Sequence, residues 1–381
     1  MSSVFKDAID QFLYPIKELL EDPGVSEIMI NGPKEIFVEK KGLVYKTDAQ
    51  FHNEEALLSA MRSIAQSVGR RIDKDNPRLD ARLPDGSRIH VVLPPMAKNG
   101  TTVAIRKFSK EKLTLNDLIT FGSLSKDAAR FLDICIHLGK NIIVSGGTGS
   151  GKTTMLNVLG SRIPKTQRLI IIEDAAELQV KAEHVVNFET RKADAERGTT
   201  EVTIRDLVVS AMRLRPDRII VGEVRGEEAL DLIQVMNTGH DGSMGTVHAN
   251  NPVDACTRLE TLCLMGDTKI PADAIRKMVG SAMQIIVQCS RFHDGGRRTS
   301  HISEIIGIDK NGNYISRDIF KWIQTGKDPE SGKYIGEMVS CNYVPTFFED
   351  IVVNKLPFPK SNFLAPEWYN QKLRGEKGEA A

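Results

Sequence analysis

Aromatic residues are scarce in this sequence: they make up 6% of it, with 2 tryptophans among 381 residues. Proteins that track single-stranded nucleic acid stack bases on aromatic side chains set among clustered cations. Here 51 basic residues balance 50 acidic ones for a formal charge of +1, so no nucleic-acid partner is expected. Cysteine is sparse too. Residues 135, 256, 263, 289 and 341 form no C-x-x-C pair and no cluster with histidine at zinc spacing. That excludes a disulfide framework and fits buried thiols in a reducing compartment. No apolar run approaches the ~18 residues of a membrane-crossing helix. The opening MSSVFKDAIDQFLYPIKELLEDPG breaks its hydrophobic stretch with Lys17 and Glu18, unlike a signal peptide. A cytoplasmic chain is expected, peripheral to any membrane it serves and not inserted in it.

Apolar residues at 41% and charged residues at 27% exclude wholesale disorder, and the length allows two or three domains. Residues 1–21 predict an amphipathic helix, bent at Pro15. Residues 22–110 predict a small α/β domain, with strands in SEIMI, EIFVEK and LVYKT and a helix capped by Asn53. LDARLPDGSRIHVVLPP predicts two strands about a Pro-Asp-Gly turn, and TTVAIRKF a third. From 111 to 290 strands alternate with helices: NIIVS, RLIIIE, RIIVG and GTVHA are nearly all apolar, as parallel strands covered on both faces are. A helix starting at Ser125 offers Ala128, Phe131, Leu132 and Cys135 as its apolar face. Residues 291–381, with paired glycines and a polar tail, read as a C-terminal extension without assigned chemistry.

GGTGSGKT, residues Gly146, Gly147, Thr148, Gly149, Ser150, Gly151, Lys152 and Thr153, fits G-x-x-x-x-G-K-[ST]. The pattern arises by chance in roughly one chain in a hundred of this length, and here it lies between a strand and a helix. The glycines let successive N–H groups face one concavity, and the helix N-terminus adds positive potential. Lys152 reaches β- and γ-phosphates and the Thr153 hydroxyl can hold Mg²⁺, with Thr154 next in line. The motif therefore predicts a bound nucleoside triphosphate. Hydrolysis requires a carboxylate at the strand ends. RIIVGE supplies Glu223 after Gly222, where many phosphate-loop proteins place a metal-binding aspartate. Glu223 is left to orient or deprotonate water. Glu173, Asp174 and Glu177 in IEDAAEL then share the metal-side role.

GGTGSGKT, IEDAAEL, RLRPDRIIVGEVRG and GTVHAN, in this order, resemble the Walker A, Asp, atypical Walker B and His boxes of type II and type IV secretion ATPases (GspE-like). The resemblance covers about residues 20–290. It implies a RecA-like P-loop ATPase domain with a mainly parallel sheet, preceded by a smaller α/β N-terminal domain. It implies a homohexameric motor, working with polytopic inner-membrane platform proteins of a pilus or secretion machine. By the same resemblance Glu177 is the main Asp-box carboxylate and a Mg²⁺ ligand, with Glu173 beside it. Glu223 is the Walker B glutamate, and His248 lies near the γ-phosphate. His240 supports the turn or a subunit contact, and Asn251 caps the next helix. Arg88 and Arg106, with Arg82 as a weaker third, match the segments that carry arginine fingers. GVSEIMINGPKEIFVEKKG, LDARLPDGSRIHVVLPP and GEMVSCNYVPTFFED look most like the CpaF group of Tad/Flp pilus assembly ATPases. The tetra-cysteine module usual in type II secretion ATPases is missing. The conjugation-type secretion ATPases are the runner-up, and a nucleic-acid translocase a more distant alternative.

Overall fold

The computed structural model describes residues 12–40, 42–83, 85–108, 113–193, 198–266 and 269–378. The chain divides into two compact units, residues 1–111 and 112–381.

The first unit is built on six antiparallel strands: β1 (Val25–Asn31), β2 (Ile36–Lys40), β3 (Leu43–Lys46), β4 (Arg78–Arg82), β5 (Arg88–Val92) and β6 (Thr102–Arg106). They lie in the order β3-β2-β1-β6-β5-β4. Alternation assigns Ile28, Ile30, Ile89, Val91, Val103 and Ile105 to one face, where the helix Glu54–Ser67 buries Leu57, Met61 and Ile64 against them. Asn53 caps that helix as expected, accepting from Ala56 N–H at 2.8 Å. Of the opening segment, the described part is a 3₁₀ turn Tyr14–Ile16 around Pro15, followed by the short helix Lys17–Glu21. The expected turn at residues 84–86 places Pro84 outside the described residues.

The second unit carries a nine-stranded sheet: β7 (Ile142–Gly146), β8 (Leu169–Glu173), β9 (Val185–Glu189), β10 (Arg218–Val221), β11 (Met244–Val247), β12 (Ile285–Arg291), β13 (Arg297–Ile308), β14 (Tyr314–Lys327) and β15 (Tyr334–Ser340). Its order is β15-β14-β13-β12-β7-β11-β10-β8-β9. The six strands from β12 to β9 are parallel, and β13 to β15 add antiparallel pairs at one side. β7, β8, β10 and β11 are buried along their whole length. Successive residues serve opposite cores: Ile142 and Val144 face the layer of helices Lys126–His137 and Lys152–Gly160. Ile143 faces that of helices Glu228–Asn237, Pro252–Met265 and Ala272–Ala282. This doubly covered parallel sheet is why those strands carry no polar alternation.

The segment after 290 is continuous with this sheet through β13, β14 and β15. Much of the sparse aromatic content gathers there. Phe131 packs within 6.1 Å of Phe320, Phe347, Phe358 and Phe363, measured between ring centroids. Four of the cysteines are buried and none is bridged. Burial pushes the Cys256, Cys263 and Cys289 thiols up to about 12, which makes them inert. Among the described residues no helix is long and apolar enough to cross a membrane.

Candidate nucleotide site

Because β7, β8, β10 and β11 are parallel, their carboxyl ends share one edge of the sheet, where open α/β sheets bind ligands. The register aligns Ile172 of β8 with Val221 of β10, Val221 with Gly245 of β11, and Gly245 with Ile143 of β7. Residues one to three positions beyond this row therefore leave the sheet side by side, although they come from four separate motifs.

At the end of β7 the chain turns through the glycine loop into the helix Lys152–Gly160. Gly151 sits at its N-cap with φ 96°, a left-handed conformation that a Cβ would strain. Lys152 is buried, and its Nζ donates to the Gly147 carbonyl at 2.9 Å. The Ser150 hydroxyl donates to the same oxygen at 2.8 Å. Gly147, Thr148 and Gly149 are exposed. Thr153 and Thr154 stand in the first helical turn, whose N–H groups lack intrahelical acceptors and whose dipole favours an anion.

Glu173, the last residue of β8, is buried and turned inward. Its Oε1 accepts from the N–H groups of Glu177 at 2.9 Å and Leu178 at 3.0 Å, so it shapes the turn that carries Glu177. It also explains Gly222. A Cβ added there would lie 2.8 Å from Glu173 Cγ, leaving no room for the usual aspartate.

Glu223 is half-buried between two partners. Arg225 Nη2 donates to its Oε2 at 2.5 Å, and His248 Nε2 lies 2.7 Å from its Oε1. Burial works to raise the Glu223 pKa, but Arg225, His248 and Lys152 outweigh it and hold the carboxyl below the ordinary glutamate value. For His248, burial and then the Lys152 charge push the pKa below the usual histidine value, against the pull of Glu223. Arg225 was not singled out from sequence, where it is one more charge after Gly-Glu-Val. Its Nη1 is 3.6 Å from Asp174, and its pKa is raised by the Glu223 hydrogen bond, then by Asp174 and Glu177. Glu223 and Asp174 thus flank one guanidinium, and the charge of Glu177 acts on it as well.

The two histidines of the GHDGSMGTVH stretch part company in the structure. His248 follows the carboxyl end of β11. His240 precedes its amino end, in a turn where its carbonyl accepts from Ser243 Oγ at 2.8 Å. There Asn141 Oδ1 also receives the N–H groups of Gly242 and Ser243. Beyond the strand, Asn251 caps the helix Pro252–Met265, accepting from Asp254 N–H at 2.8 Å.

Within the first unit, the arginines form a row that the sequence conceals. Arg82 of β4 is opposite Arg88 of β5, which is opposite Arg106 of β6, itself opposite Glu27 of β1. Directly opposed residues share a face, and the adjacent row of Ala81, Ile89, Ile105 and Ile28 faces the helix. The arginines therefore occupy the other face. Arg82 Nε also donates to Gly86 O at 3.3 Å, and its guanidinium lies 5.9 Å from the Phe108 ring centroid.

Among the described residues no three His, Cys, Asp or Glu side chains are grouped to hold a metal by themselves. Magnesium is ordinarily held by one or two protein oxygens together with substrate phosphates. The Thr153 hydroxyl and the carboxylates around Arg225 are hard oxygen donors of that kind, so the residues present fit the ion.

A glycine-rich phosphate loop at the carboxyl edge of a doubly covered parallel sheet, with a small antiparallel unit before it, defines a RecA-like P-loop ATPase fold. The family model described as "Type II/IV secretion system protein" matches residues 11–305, and the chain belongs to that family. Conjugal transfer protein TrbB of Rhizobium radiobacter is 34% identical over 297 residues, 77% of this chain and 87% of the relative. Type IV secretion system protein VirB11 of Brucella suis is 33% identical over 326 residues, covering 78% of this chain and 90% of its own length. A crystal structure of the pilus retraction motor PilT with bound ADP superposes with a TM-score of 0.53 at 20% identity. That match covers 91% of this chain and 86% of the other, and it bears on the fold alone.

Proposed function

We propose that the chain is an ATP-hydrolysing traffic motor of a conjugation-type, type IV secretion system. It works as a homohexamer in the cytoplasm, peripheral to the inner membrane and docked on polytopic platform proteins. The TrbB and VirB11 relatives, each similar over more than three quarters of the chain, support this reading ahead of Tad/Flp pilus assembly. The observation that carries the chemistry is Glu223 at the shared strand edge, ionised and held between Arg225 and His248.

In this reading the loop from Gly146 to Thr154 cradles the β- and γ-phosphates and Lys152 neutralises them. Thr153 and Glu177 hold magnesium, which when bound offsets charge on the phosphate oxygens. Glu223 orients a water and accepts its proton as the water oxygen bonds to the γ-phosphorus. The bond from that phosphorus to the bridging oxygen breaks, giving ADP and phosphate. His248 donates to a γ-phosphate oxygen and loses that contact after hydrolysis, which alters its 2.7 Å contact with Glu223. Asp174 steadies Arg225, while Glu173 and His240 support their turns. Arg88 and Arg106, with Arg82 alongside, stabilise charge on the transferring phosphoryl group within the ring.

The test is ATP turnover by the purified protein beside Lys152→Ala, each with and without nucleic acid. Wild-type turnover that is abolished in Lys152→Ala and indifferent to nucleic acid supports the motor. Near-normal turnover in that variant contradicts it. Cells lacking the gene and supplied with either form separate the branches: loss of intercellular transfer supports the conjugation type, and loss of pili alone the Tad type.

A further inference from the structure

The phosphate loop has a neighbour on the far side of β7 that the motifs do not include. In β12, Cys289 is opposite Gly146, and a Cβ added to Gly146 would lie 2.3 Å from the Cys289 carbonyl oxygen. The loop thus begins flush against β12. That strand ends at Arg291, turns, and returns as β13 from Arg297.

The turn is braced. The buried Asp294 carboxylate accepts from Arg298 at 2.8 and 3.1 Å, from Gly296 N–H at 3.0 Å and from Tyr334 N–H at 2.8 Å. The Arg298 guanidinium lies 5.0 Å from the Phe292 ring centroid and 4.9 Å from that of Trp322. From this support Arg297 Nε donates to the Gly149 carbonyl at 2.8 Å. Arg291 Nη1 stands 3.2 Å from where a Cβ on Gly149 would be, and Gly149 has a left-handed φ of +68°.

We infer that Arg297, with Arg291 beside it, is a positioning residue for the polyphosphate of a nucleoside di- or triphosphate, an inference that rests on the nucleotide reading above. In a trans peptide the C=O and the following N–H point in opposite directions. Holding Gly149 O toward the hairpin turns Ser150 N–H to the loop's inner side. There it donates to Gly147 O at 3.4 Å, the oxygen that also accepts from Lys152 Nζ and Ser150 Oγ, so three donors converge at the point where a phosphate oxygen would replace that carbonyl. The hairpin fixes the left-handed part of the loop in the orientation that presents donors to phosphate. Its guanidinium groups also add positive potential beside the bound anion.

The experiment uses the full chain, with fluorescent ADP for affinity and ATP for kinetics. Arg297→Met keeps the aliphatic stem and loses the donor. It weakens ADP binding and raises KM for ATP by about tenfold, the scale of one charge-assisted hydrogen bond, with kcat within about twofold. Arg297→Lys, which can still donate to Gly149 O, recovers most of the affinity. Unchanged ADP affinity in a folded Arg297→Met, confirmed by melting, overturns the inference. So does an affinity loss that lysine does nothing to restore. Binding of ADP by the wild type is measured first, since its failure would remove the nucleotide reading itself.

Discussion

The antiparallel sheet of residues 1–111 and the parallel half of the sheet in 112–381 bring charged groups together by different geometry. Parallel strands send consecutive motifs to one edge, so the phosphate loop, Glu173, Glu223 and His248 each lie at or just beyond the carboxyl end of a strand. Antiparallel strands put no such premium on ends. They align Arg82, Arg88 and Arg106 sideways, through register alone. A motif read along the chain therefore locates the first kind of site, whereas for the second it names Arg82, Arg88 and Arg106 one by one and leaves their alignment hidden. The strands behind the parallel edge are buried on both faces, whereas the arginine row lies on the face away from its unit's helix.

The largest effect belongs to the parallel edge: Lys152→Ala loses nucleotide binding or hydrolysis altogether, as read by ATP turnover. Arg88→Ala or Arg106→Ala lowers turnover by ten- to a thousandfold, about 1.4–4 kcal/mol, with ADP affinity nearly unchanged. Arg→Lys rescues poorly, since an ammonium does not reproduce the planar fork. Wild-type turnover in a well-folded Arg88→Ala, Arg106→Ala double variant would remove the antiparallel unit from catalysis.

Smaller effects sharpen the account of unit 112–381. Asp294→Ala strands the largely buried Arg298 and destabilises the unit by about 3 kcal/mol in denaturant unfolding. The Arg298 hydrogen bond and then two backbone donors hold the Asp294 carboxyl well below the ordinary aspartate range. The folded pKa is depressed, so this stabilisation is present above the ordinary aspartate pKa and is lost as pH falls through the folded value. The smallest effect is on a pH profile. Glu223 is likewise depressed, so the acid limb of kcat/KM falls below the ordinary glutamate value, and Arg225→Ala moves it upward.

Most of the parallel core was legible, because runs such as NIIVS and RIIVG are short, rich in isoleucine and valine and bounded by glycine, which favours a buried strand over a buried helix. Caps at Asn53, Ser125 and Asn251 were legible from single residues. The role of Glu173 was not: its carboxylate faces backbone N–H groups four and five residues on, a contact set by the turn and not by spacing. Arg225, Arg291 and Arg297 were passed over because an arginine beside a turn is usually solvated. The available signal was the Asp-Gly-Gly turn at 294–296, which ties two of them to one hairpin. The segment after 290 looked detached because β13 and β14 run 12 and 14 residues with shifts of register, which blur a period of two.

The most direct test of the parallel edge as the hydrolytic site is ATP binding and turnover measured together in Glu223→Gln. The amide keeps the shape and loses the basicity. ATP binding is expected to persist while turnover falls at least about a hundredfold, the usual size of a lost general base. Turnover close to wild type, or binding lost as severely as turnover, would contradict it.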